Sequence, residues 1–321
     1  MLVPVLLFLV GFIFLIKGGD WFVDGATGIA HRFHIPEILI GATVVSIGTT
    51  LPEVMVSAGA ALAGHGEIAY GNAIGSIICN TSLIAALTIA IRPAVVERKP
   101  LVLSVVFFFV AAVFYASVAY FGGYFSRWVG IVLVSIFVVY MVVSVMQATK
   151  SLGAKNDEQT EENEGSLWKD IVFLVLGAAV IAVGADLLVD NGTIIAEMLG
   201  VPESVIALTF VALGTSLPEL VTAVTSLIKG HSALSLGNII GANLFNLVLV
   251  SGVSTLLSPF PVPGSSQVFG VNTSLAVDIP IMFAVMSIMV FPALFRGKLS
   301  RVQGILLLII YALFCVFQFT I

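Results

Sequence analysis

One six-residue stretch occurs twice in this sequence, and each copy lies within a long apolar run. The copies are Gly-Thr-Thr-Leu-Pro-Glu at 48–53 and Gly-Thr-Ser-Leu-Pro-Glu at 214–219. Each copy ends in a carboxylate, and a charged residue at membrane depth costs about 2.5–3.5 kcal/mol on insertion scales. Two such residues at matching positions restrict the fold severely, because both need a partner inside the membrane. We expect Glu53 and Glu219 to face each other and to hold a metal cation.

The composition is that of a polytopic membrane protein. The 321 residues are 59% hydrophobic and 10% charged, with a mean hydropathy of +1.15, whereas soluble domains carry roughly 25% charged residues. Ten apolar stretches are long enough to be candidate membrane spans, at 2–28, 36–62, 68–91, 101–119, 127–149, 169–195, 202–228, 233–257, 273–293 and 302–320. The first is too long and continuous for a cleaved signal, so we expect it to remain as a span. The two cysteines, Cys79 and Cys315, lie in apolar runs and indicate neither a disulfide framework nor a zinc site.

The chain consists of two copies of one unit. An offset of 166 residues relates Glu53 to Glu219 and also Asn80 to Asn246. This offset predicts a first five-span repeat at 1–149, an acidic cytoplasmic linker at 150–168 and a second five-span repeat at 169–321. Because five is odd, the second copy must cross the membrane in the opposite sense, as in many secondary transporters. The predicted fold is an all-α integral membrane protein. Its ten transmembrane helices form two inverted five-helix repeats, with broken helices 2 and 7 at the centre.

The basic residues of the loops predict the orientation. One side carries Arg127 alone, and the other side carries Arg32, Arg92, Arg98, Lys99, Lys150, Lys155, Lys169, Lys229, Arg296, Lys298 and Arg301. The positive-inside rule then places both termini outside a cell (plasma or inner) membrane and the linker in the cytoplasm. The linker is either a solvated connection between the repeats or a cation-sensing segment.

The glycine and proline of each motif copy interrupt a membrane helix, and proline leaves the carbonyl four residues earlier without its donor. Such breaks are tolerated where they line a cavity or pack against protein. We therefore expect the carbonyl groups near Thr49 and Thr215 to point at a ligand. A capping box is the structural alternative, since Thr50 and Ser216 each precede a glutamate by three residues. That alternative does not explain two carboxylates at matched depth.

The third span and its copy supply further polar side chains. Residues four apart share one helix face, and this face carries Asn72, Ser76 and Asn80 in the first copy and Asn238, Ala242 and Asn246 in the second. The adjoining glycines let another helix approach closely: Gly71, Gly75, Gly237 and Gly241. Asn72 and Asn238 lie near the span ends, where they could either form interhelical hydrogen bonds or line the site. The two near mid-depth are expected to line the site.

Four further aspartates lie one turn apart in spans 1 and 6: Asp20, Asp24, Asp186 and Asp190. Either they anchor helices at the interface, with Lys17 pairing with Asp20, or they give ions access to the central site.

All of the converging ligands are oxygens, which suit Ca²⁺, Na⁺ or Mg²⁺ rather than zinc or copper. Ca²⁺ accepts six to eight flexibly arranged oxygens, and two carboxylates neutralise one divalent ion. The same pair could hold monovalent ions with the help of neutral oxygens. Two kinds of cation would then compete for one set of ligands, and ion exchange would follow.

With these motifs the sequence resembles the cation/calcium exchanger superfamily, and within it the prokaryotic sodium/calcium exchangers. The resemblance covers the whole chain. Its signature, the α-repeat, is Gly-Thr-Thr/Ser-Leu-Pro-Glu in spans 2 and 7 followed by Gly-Asn-x-Ile-Gly in spans 3 and 8.

The resemblance implies that Glu53 and Glu219 ligate Ca²⁺ and that the carbonyl groups of Thr49 and Thr215 complete that site. It implies sodium sites formed by the two glutamates with Thr50, Ser76, Ser216 and carbonyl groups near Ser46 and Ala212. Asn80 and Asn246 would line the central position.

Several positions depart from the family pattern. Ala242 stands where the family often has serine, so one sodium site loses a hydroxyl group. Asn246 replaces the aspartate of the potassium-dependent branch, which argues against a potassium requirement. The Thr-Thr and Thr-Ser pairs of the motif favour sodium over protons. Ile77, where many members have asparagine, instead resembles the proton-coupled pattern, so the coupling ion stays open.

The sequence therefore predicts a secondary antiporter that exchanges Na⁺ for Ca²⁺ by alternating access at a midplane carboxylate site. A Ca²⁺/H⁺ antiporter is the alternative, and a cation channel or an intramembrane enzyme are more distant rivals. No enzymatic motif is found. We expect no prosthetic group and no nucleic-acid partner. The bilayer and the transported Ca²⁺ and Na⁺ ions are the expected partners. The sequence leaves the oligomeric state open and is compatible with a monomer.

Overall fold

The computed structural model describes residues 2–93, 95–153, 166–200, 214–264, 267–268 and 270–320. Most of the predicted linker lies outside the described residues. So does the first part of the predicted seventh span, including Ala212.

The described chain is almost entirely helical. Nine of its helices are long and apolar enough to cross a membrane, and a further helix of 13 residues belongs to the predicted seventh span. In chain order they are α1 (Leu2–Arg32), α2 (Glu37–Leu62), α3 (Gly66–Ile91), α4 (Arg98–Gly122), α5 (Arg127–Gly153), α6 (Leu167–Met198), α7 (Leu217–Lys229), α8 (Ser232–Leu257), α9 (Ser274–Arg296) and α10 (Arg301–Thr320). Two short antiparallel pairs join loops: β1 (Tyr124–Phe125) with β2 (Phe260–Pro261), and β3 (Gln267–Val268) with β4 (Val271–Asn272).

The two repeats are inverted, because the equivalent helices α1 and α6 run antiparallel. Along α1 from Gly11 to Gly25, the neighbouring residue on α6 moves back from Gly184 to Leu174. Glycines make this contact possible. A Cβ atom on Gly11 would lie 2.9 Å from the Gly184 carbonyl oxygen, and one on Gly25 would lie 2.4 Å from the Leu174 nitrogen. Small residues at such seams let membrane helices pack backbone to backbone.

The loops fall on two faces of the molecule. On one face, which we call the linker face, His231 contacts Glu37 at 2.8 Å, Val95 bridges to Lys298, and Arg32 pairs with Asp170 at the start of α6. On the opposite face, which we call the terminal face, β1 pairs with β2. Loops of the two repeats therefore meet across the molecule, as an odd number of spans per repeat requires.

Several helices contain a π-helical segment, in which one extra residue widens a turn. The segments in α3 and α8 are equivalent and begin at the two mid-depth asparagines: Asn80–Ala85 and Asn246–Val250. Such bulges occur frequently at functional sites. In α2 the π segment is Gly41–Val45, and helical hydrogen bonding then continues through Pro52. The irregularity of α2 thus begins before the motif, whereas α7 starts within its motif, at Leu217.

Side chains satisfy the backbone groups that the α2 π segment frees. The Tyr140 hydroxyl donates to the Ala42 carbonyl oxygen at 2.8 Å, and the Ser46 hydroxyl donates to that of Gly41 at 2.7 Å. Because a membrane supplies no water for exposed carbonyl groups, these contacts stabilise the bulge and hold the following turns of α2 in place.

Helix α8 lies at the centre of the molecule. In α8, 83% of the span is buried, against 11% in α10. A Cβ atom added to Gly237 would lie only 2.2 Å from the Ile38 carbonyl oxygen of α2. The predicted close approach is thus confirmed at Gly237. In the first repeat the corresponding glycines are Gly71 and Gly75. The segment that would contact them by the repeat offset falls at 201–213, outside the described residues.

We predict that Gly237→Ala lowers the free energy of unfolding by about 1–3 kcal/mol, because the added methyl group overpacks the α2–α8 contact. Gly59→Ala is the control, since a Cβ atom there meets nothing within 4 Å. Unfolding in detergent solution measures both variants. Equal stability of the two would contradict the close approach.

Candidate cation site

The two motif glutamates are buried and have no hydrogen-bonding partner. Glu53 on α2 and Glu219 on α7 are both 0% exposed, and none of their four carboxyl oxygens accepts a hydrogen bond. The Thr49 hydroxyl is near enough to Glu219 for an electrostatic interaction, but it misses hydrogen-bond geometry and donates elsewhere. The two carboxyl groups are also close enough to repel each other. Burying such groups without partners is costly, so protons or a bound cation must neutralise them.

The capping-box alternative does not account for these residues. Thr50 lies within a continuous helix rather than at a helix start, and its hydroxyl has no partner. Ser216 does occupy the N-cap position of α7, yet its side chain makes no capping hydrogen bond. The hydroxyl groups that a capping box would consume are therefore left unbonded beside the glutamates.

The mid-depth asparagines share this property. Asn80 and Asn246 are 0% exposed, and both polar atoms of each amide lack a partner. Each residue begins a π segment, Asn80–Ala85 in α3 and Asn246–Val250 in α8. Three repeat-related pairs of side chains thus bring unbonded polar atoms into the interior: Glu53 with Glu219, Thr50 with Ser216, and Asn80 with Asn246.

The outer asparagines instead connect the repeats. The Thr49 hydroxyl donates to Asn238 Oδ1 at 3.2 Å, and the equivalent Thr215 hydroxyl donates to Asn72 Oδ1 at 3.1 Å. Asn72 also donates to Ser57 at 2.8 Å and to the Glu53 carbonyl oxygen at 3.3 Å. The structure therefore supports interhelical bonding for Asn72, whose two polar atoms are both bonded. Asn238 also bonds the opposite repeat through Oδ1, but its buried Nδ2 has no partner.

Three further predicted residues differ in their surroundings. The Ser46 hydroxyl lies 2.9 Å from the Asn238 carbonyl oxygen, besides its bond within α2. Ser76 is buried at 5% exposure, whereas its counterpart Ala242 brings only a methyl group to the interior. At this pair the polar lining of the two repeats departs from symmetry. Ala212 cannot be placed, because it lies outside the described residues.

Six buried hydroxyl groups of the described residues have no partner and were not singled out from the sequence: Tyr115, Ser144, Thr222, Ser226, Ser254 and Thr255. Thr222 and Ser226 of α7 are 0% exposed and have no partner. They follow Glu219 by three and seven residues, so helical spacing places them on its face. That spacing was the available signal.

A cavity of about 850 Å³ reaches both motif copies. Its wall includes Gly48 and Pro52 of α2, Gly214 and Thr215 before α7, and two aspartates of α6, Asp186 and Asp190. These aspartates lie in the second half of α6, toward the terminal face. Their placement agrees with the ion-access alternative for this pair.

The equivalent aspartates of α1 are placed differently. Asp24 lies 2.7 Å from the Lys229 ammonium group and Asp20 lies 3.5 Å from it. Lys17 was the expected partner of Asp20, and that prediction is wrong. Spacing along one helix indicated Lys17, whereas the tertiary fold brings the end of α7 against α1.

The chemistry of this lining suits hard cations. It consists of two carboxylates with neutral hydroxyl, amide and carbonyl oxygens, and the described residues contain no group of three or more His, Cys, Asp or Glu side chains arranged for a metal. Oxygen donors of this kind favour Ca²⁺ or Na⁺.

An inverted helical repeat with polar groups converging at its centre is the architecture of secondary transporters. The chain belongs to the sodium/calcium exchanger family, whose sequence model it matches over residues 3–146 and 169–320. It is 32% identical to the sodium/calcium exchanger MaX1 of Methanosarcina acetivorans, with 98% of each chain covered. It is 38% identical to the inner membrane protein YrbG of Escherichia coli, with 81% of each covered. Its fold is similar to that of the sodium–calcium exchanger NCX_Mj in 10 mM Na⁺, with a TM-score of 0.82, 34% identity and 97% of each chain covered.

We predict that Asn72→Ala and Thr215→Val are coupled by about 0.5–1 kcal/mol in unfolding free energy, because they share one interhelical hydrogen bond. A double-mutant cycle in detergent solution measures this coupling. Thr215→Val with Ser135→Ala is the control, since Ser135 is exposed and bonds within its own helix. Additive effects in the first cycle would contradict the bond between the repeats.

Proposed function

We propose that this protein is an antiporter that exchanges Na⁺ for Ca²⁺ by alternating access at the site between Glu53 and Glu219. The observation that carries this proposal is the set of four buried carboxyl oxygens, two from each inverted repeat, without a hydrogen bond. The exchanger names of the relatives with which the chain aligns over nearly its full length support the same function.

Calcium would be bound between the two carboxylates. Their combined charge neutralises one divalent ion, so the loaded site carries no net charge and tolerates the apolar interior. Carbonyl oxygens of Thr49 and Thr215, held in place by the hydrogen bonds of their own side chains, would add neutral ligands. The buried, unbonded amide groups of Asn80 and Asn246 would offer further neutral oxygens. Ca²⁺ accommodates six to eight such oxygens.

Sodium would use an overlapping set of ligands. The free hydroxyl groups of Thr50 and Ser216 are suited to it, together with Ser76 and the carbonyl groups near Ser46 and Ala212. Because both glutamates belong to both sets, the two ions exclude each other, and this competition couples their transport. Ala242 supplies no hydroxyl group, so we expect weaker sodium binding on its side than at Ser76.

The coupling ion separates this proposal from its nearest alternative, a Ca²⁺/H⁺ antiporter. The hydroxyl pair of Thr50 and Ser216 gives a sodium ion neutral oxygens that a proton would not need. Asn246 presents a neutral amide group, so no third carboxylate recruits a potassium ion. A channel is disfavoured because an inverted repeat around one central site suits alternating access.

The proposed setting is a cell (plasma or inner) membrane, with both termini outside and the linker in the cytoplasm. The linker face carries most of the basic loop residues, in agreement with this orientation. The ions are substrates, and the proposed cycle requires no prosthetic group.

Flux into sealed proteoliposomes tests the function. We predict Ca²⁺ uptake in potassium-free medium when a Na⁺ gradient is imposed, and little uptake with an H⁺ gradient or with none. Glu53→Gln and Glu219→Gln should each abolish the flux, because one carboxylate cannot neutralise a divalent ion. Glu67→Gln, at an exposed position of α3, is the matched control.

The outcomes distinguish a Na⁺-coupled antiporter from an H⁺-coupled antiporter and from a channel. Uptake driven only by an H⁺ gradient would replace Na⁺ by H⁺ as the coupling ion. Uptake without any counter-ion gradient would indicate a channel. Wild-type flux in either folded glutamine variant would remove the proposed carboxylate site.

A further inference from the structure

Two side chains of α7 are polar, fully buried and unused by the site described above. Thr222 and Ser226 are 0% exposed, and neither hydroxyl group has a partner. Many buried hydroxyl groups of these helices donate to the carbonyl oxygen one turn earlier, as Thr43 does to Leu39 at 2.7 Å. Others lack a partner too, at Tyr115, Ser144, Ser254 and Thr255, but Thr222 and Ser226 are the two that follow a motif glutamate on its own helix face. Because an unpaired hydroxyl group inside a membrane protein costs free energy, this pair indicates a ligand or water not supplied by the protein.

The pair extends the cation site in one direction. Positions 219, 222 and 226 share one face of α7, and seven residues of helix span about 10 Å. Glu219 lies at the start of α7 and the helix ends on the linker face. A line of polar groups therefore runs from the carboxylate site toward that face.

The line is specific to the second repeat. At the offset of 166 residues, the first repeat has Val56 and Ala60 in place of the two hydroxyl residues. An unpaired polar line that only one copy carries is not a structural requirement of the repeat. It marks a difference between the two sides of the membrane.

An ion pair lies at the end of the line. The Lys229 ammonium group contacts Asp24 at 2.7 Å and donates to the Asp20 carbonyl oxygen at 3.1 Å. This contact ties the end of α7 to α1. Ala63 stands at the position equivalent to Lys229, and on that side the equivalent aspartates of α6 line the 850 Å³ cavity.

We propose that Thr222 and Ser226 line the linker-face half of the cation path, and that the ion pair of Lys229 with Asp20 and Asp24 closes its mouth. The inference rests on the proposed function, because it assumes that cations reach Glu219 from both faces. The ligand would be a partly dehydrated Na⁺ or Ca²⁺.

The hydroxyl groups of Thr222 and Ser226 suit transient rather than tight binding of a passing cation. Hydroxyl oxygens replace part of an ion's hydration shell without adding charge, so an ion can bind there and still leave. When α1 and α7 separate, Lys229 releases two carboxylates at the mouth, and their negative potential attracts cations. The same aspartates that hold the path closed would then favour entry.

Accessibility from each face tests the path. In a background with Cys79→Ala and Cys315→Ala that retains exchange, Thr222→Cys and Ser226→Cys are treated with a small cationic, membrane-impermeant methanethiosulfonate reagent. We expect modification from the linker face only, slowed by Ca²⁺. Adding Lys229→Met should raise the rate about threefold, as expected for loss of a partly exposed ion pair. Val224→Cys, which helical spacing places on the opposite side of α7 from both residues, is the control and should react more slowly.

Kinetics give an independent readout in variants with the native cysteines. Thr222→Val combined with Ser226→Ala should lower kcat/KM for Ca²⁺ presented at the linker face about five- to tenfold. Equilibrium Ca²⁺ binding and kcat/KM at the terminal face should remain unchanged, and Val224→Ala, on the opposite side of α7, should behave as wild type. A purely structural pair would lower transport from both faces.

The proposal is overturned if the reagent reaches both cysteines equally from both faces, or reaches neither even with Lys229→Met. It is also overturned if Val224→Cys reacts as fast as the other two. Loss of Na⁺-driven Ca²⁺ flux in the wild-type protein is a separate result. It would defeat the proposed function, whereas the labelling pattern decides the path.

Discussion

The structure depends on the cost of holding two carboxylates inside a membrane without a cationic side chain. Neither Glu53 nor Glu219 accepts a hydrogen bond, and neither is in an ion pair with any described residue. Two carboxylates close together cannot both stay charged in an apolar interior without a compensating charge, which protons or a bound cation would supply. The inverted repeat is the means by which one chain brings the two together at equal depth.

In each motif, one hydroxyl group is hydrogen-bonded and the neighbouring hydroxyl group is not. Thr49 and Thr215 bond to asparagines of the opposite repeat, whereas the adjacent Thr50 and Ser216 bond to nothing. Of two neighbouring hydroxyl groups in each motif, one therefore fixes the relative position of the repeats and the other stays available. The repeats depart from this symmetry at Ala242, opposite Ser76, and along α7, where Thr222 and Ser226 replace Val56 and Ala60.

Much of this could be predicted from the sequence, because membrane spans are encoded by apolar length and the repeat by a constant offset. The two glutamates follow from the rarity of intramembrane charge. What the sequence did not reveal depends on tertiary contacts. The α2 bulge begins before the motif because Tyr140 of a distant helix accommodates the freed carbonyl of Ala42. Lys229, rather than Lys17, faces Asp20 because α7 ends against α1. The outer asparagines were ambiguous until their partners on the opposite repeat were known.

The central claim is that both repeats contribute to one shared cation site, and Ca²⁺ binding by isothermal titration calorimetry in sodium-free detergent solution tests it most directly. The account predicts one Ca²⁺ per chain for the wild-type protein. It also predicts that Glu53→Gln and Glu219→Gln each abolish binding, since neither repeat holds the ion alone. If either folded variant still binds Ca²⁺ with wild-type affinity, the glutamates do not share one ion and the account is contradicted.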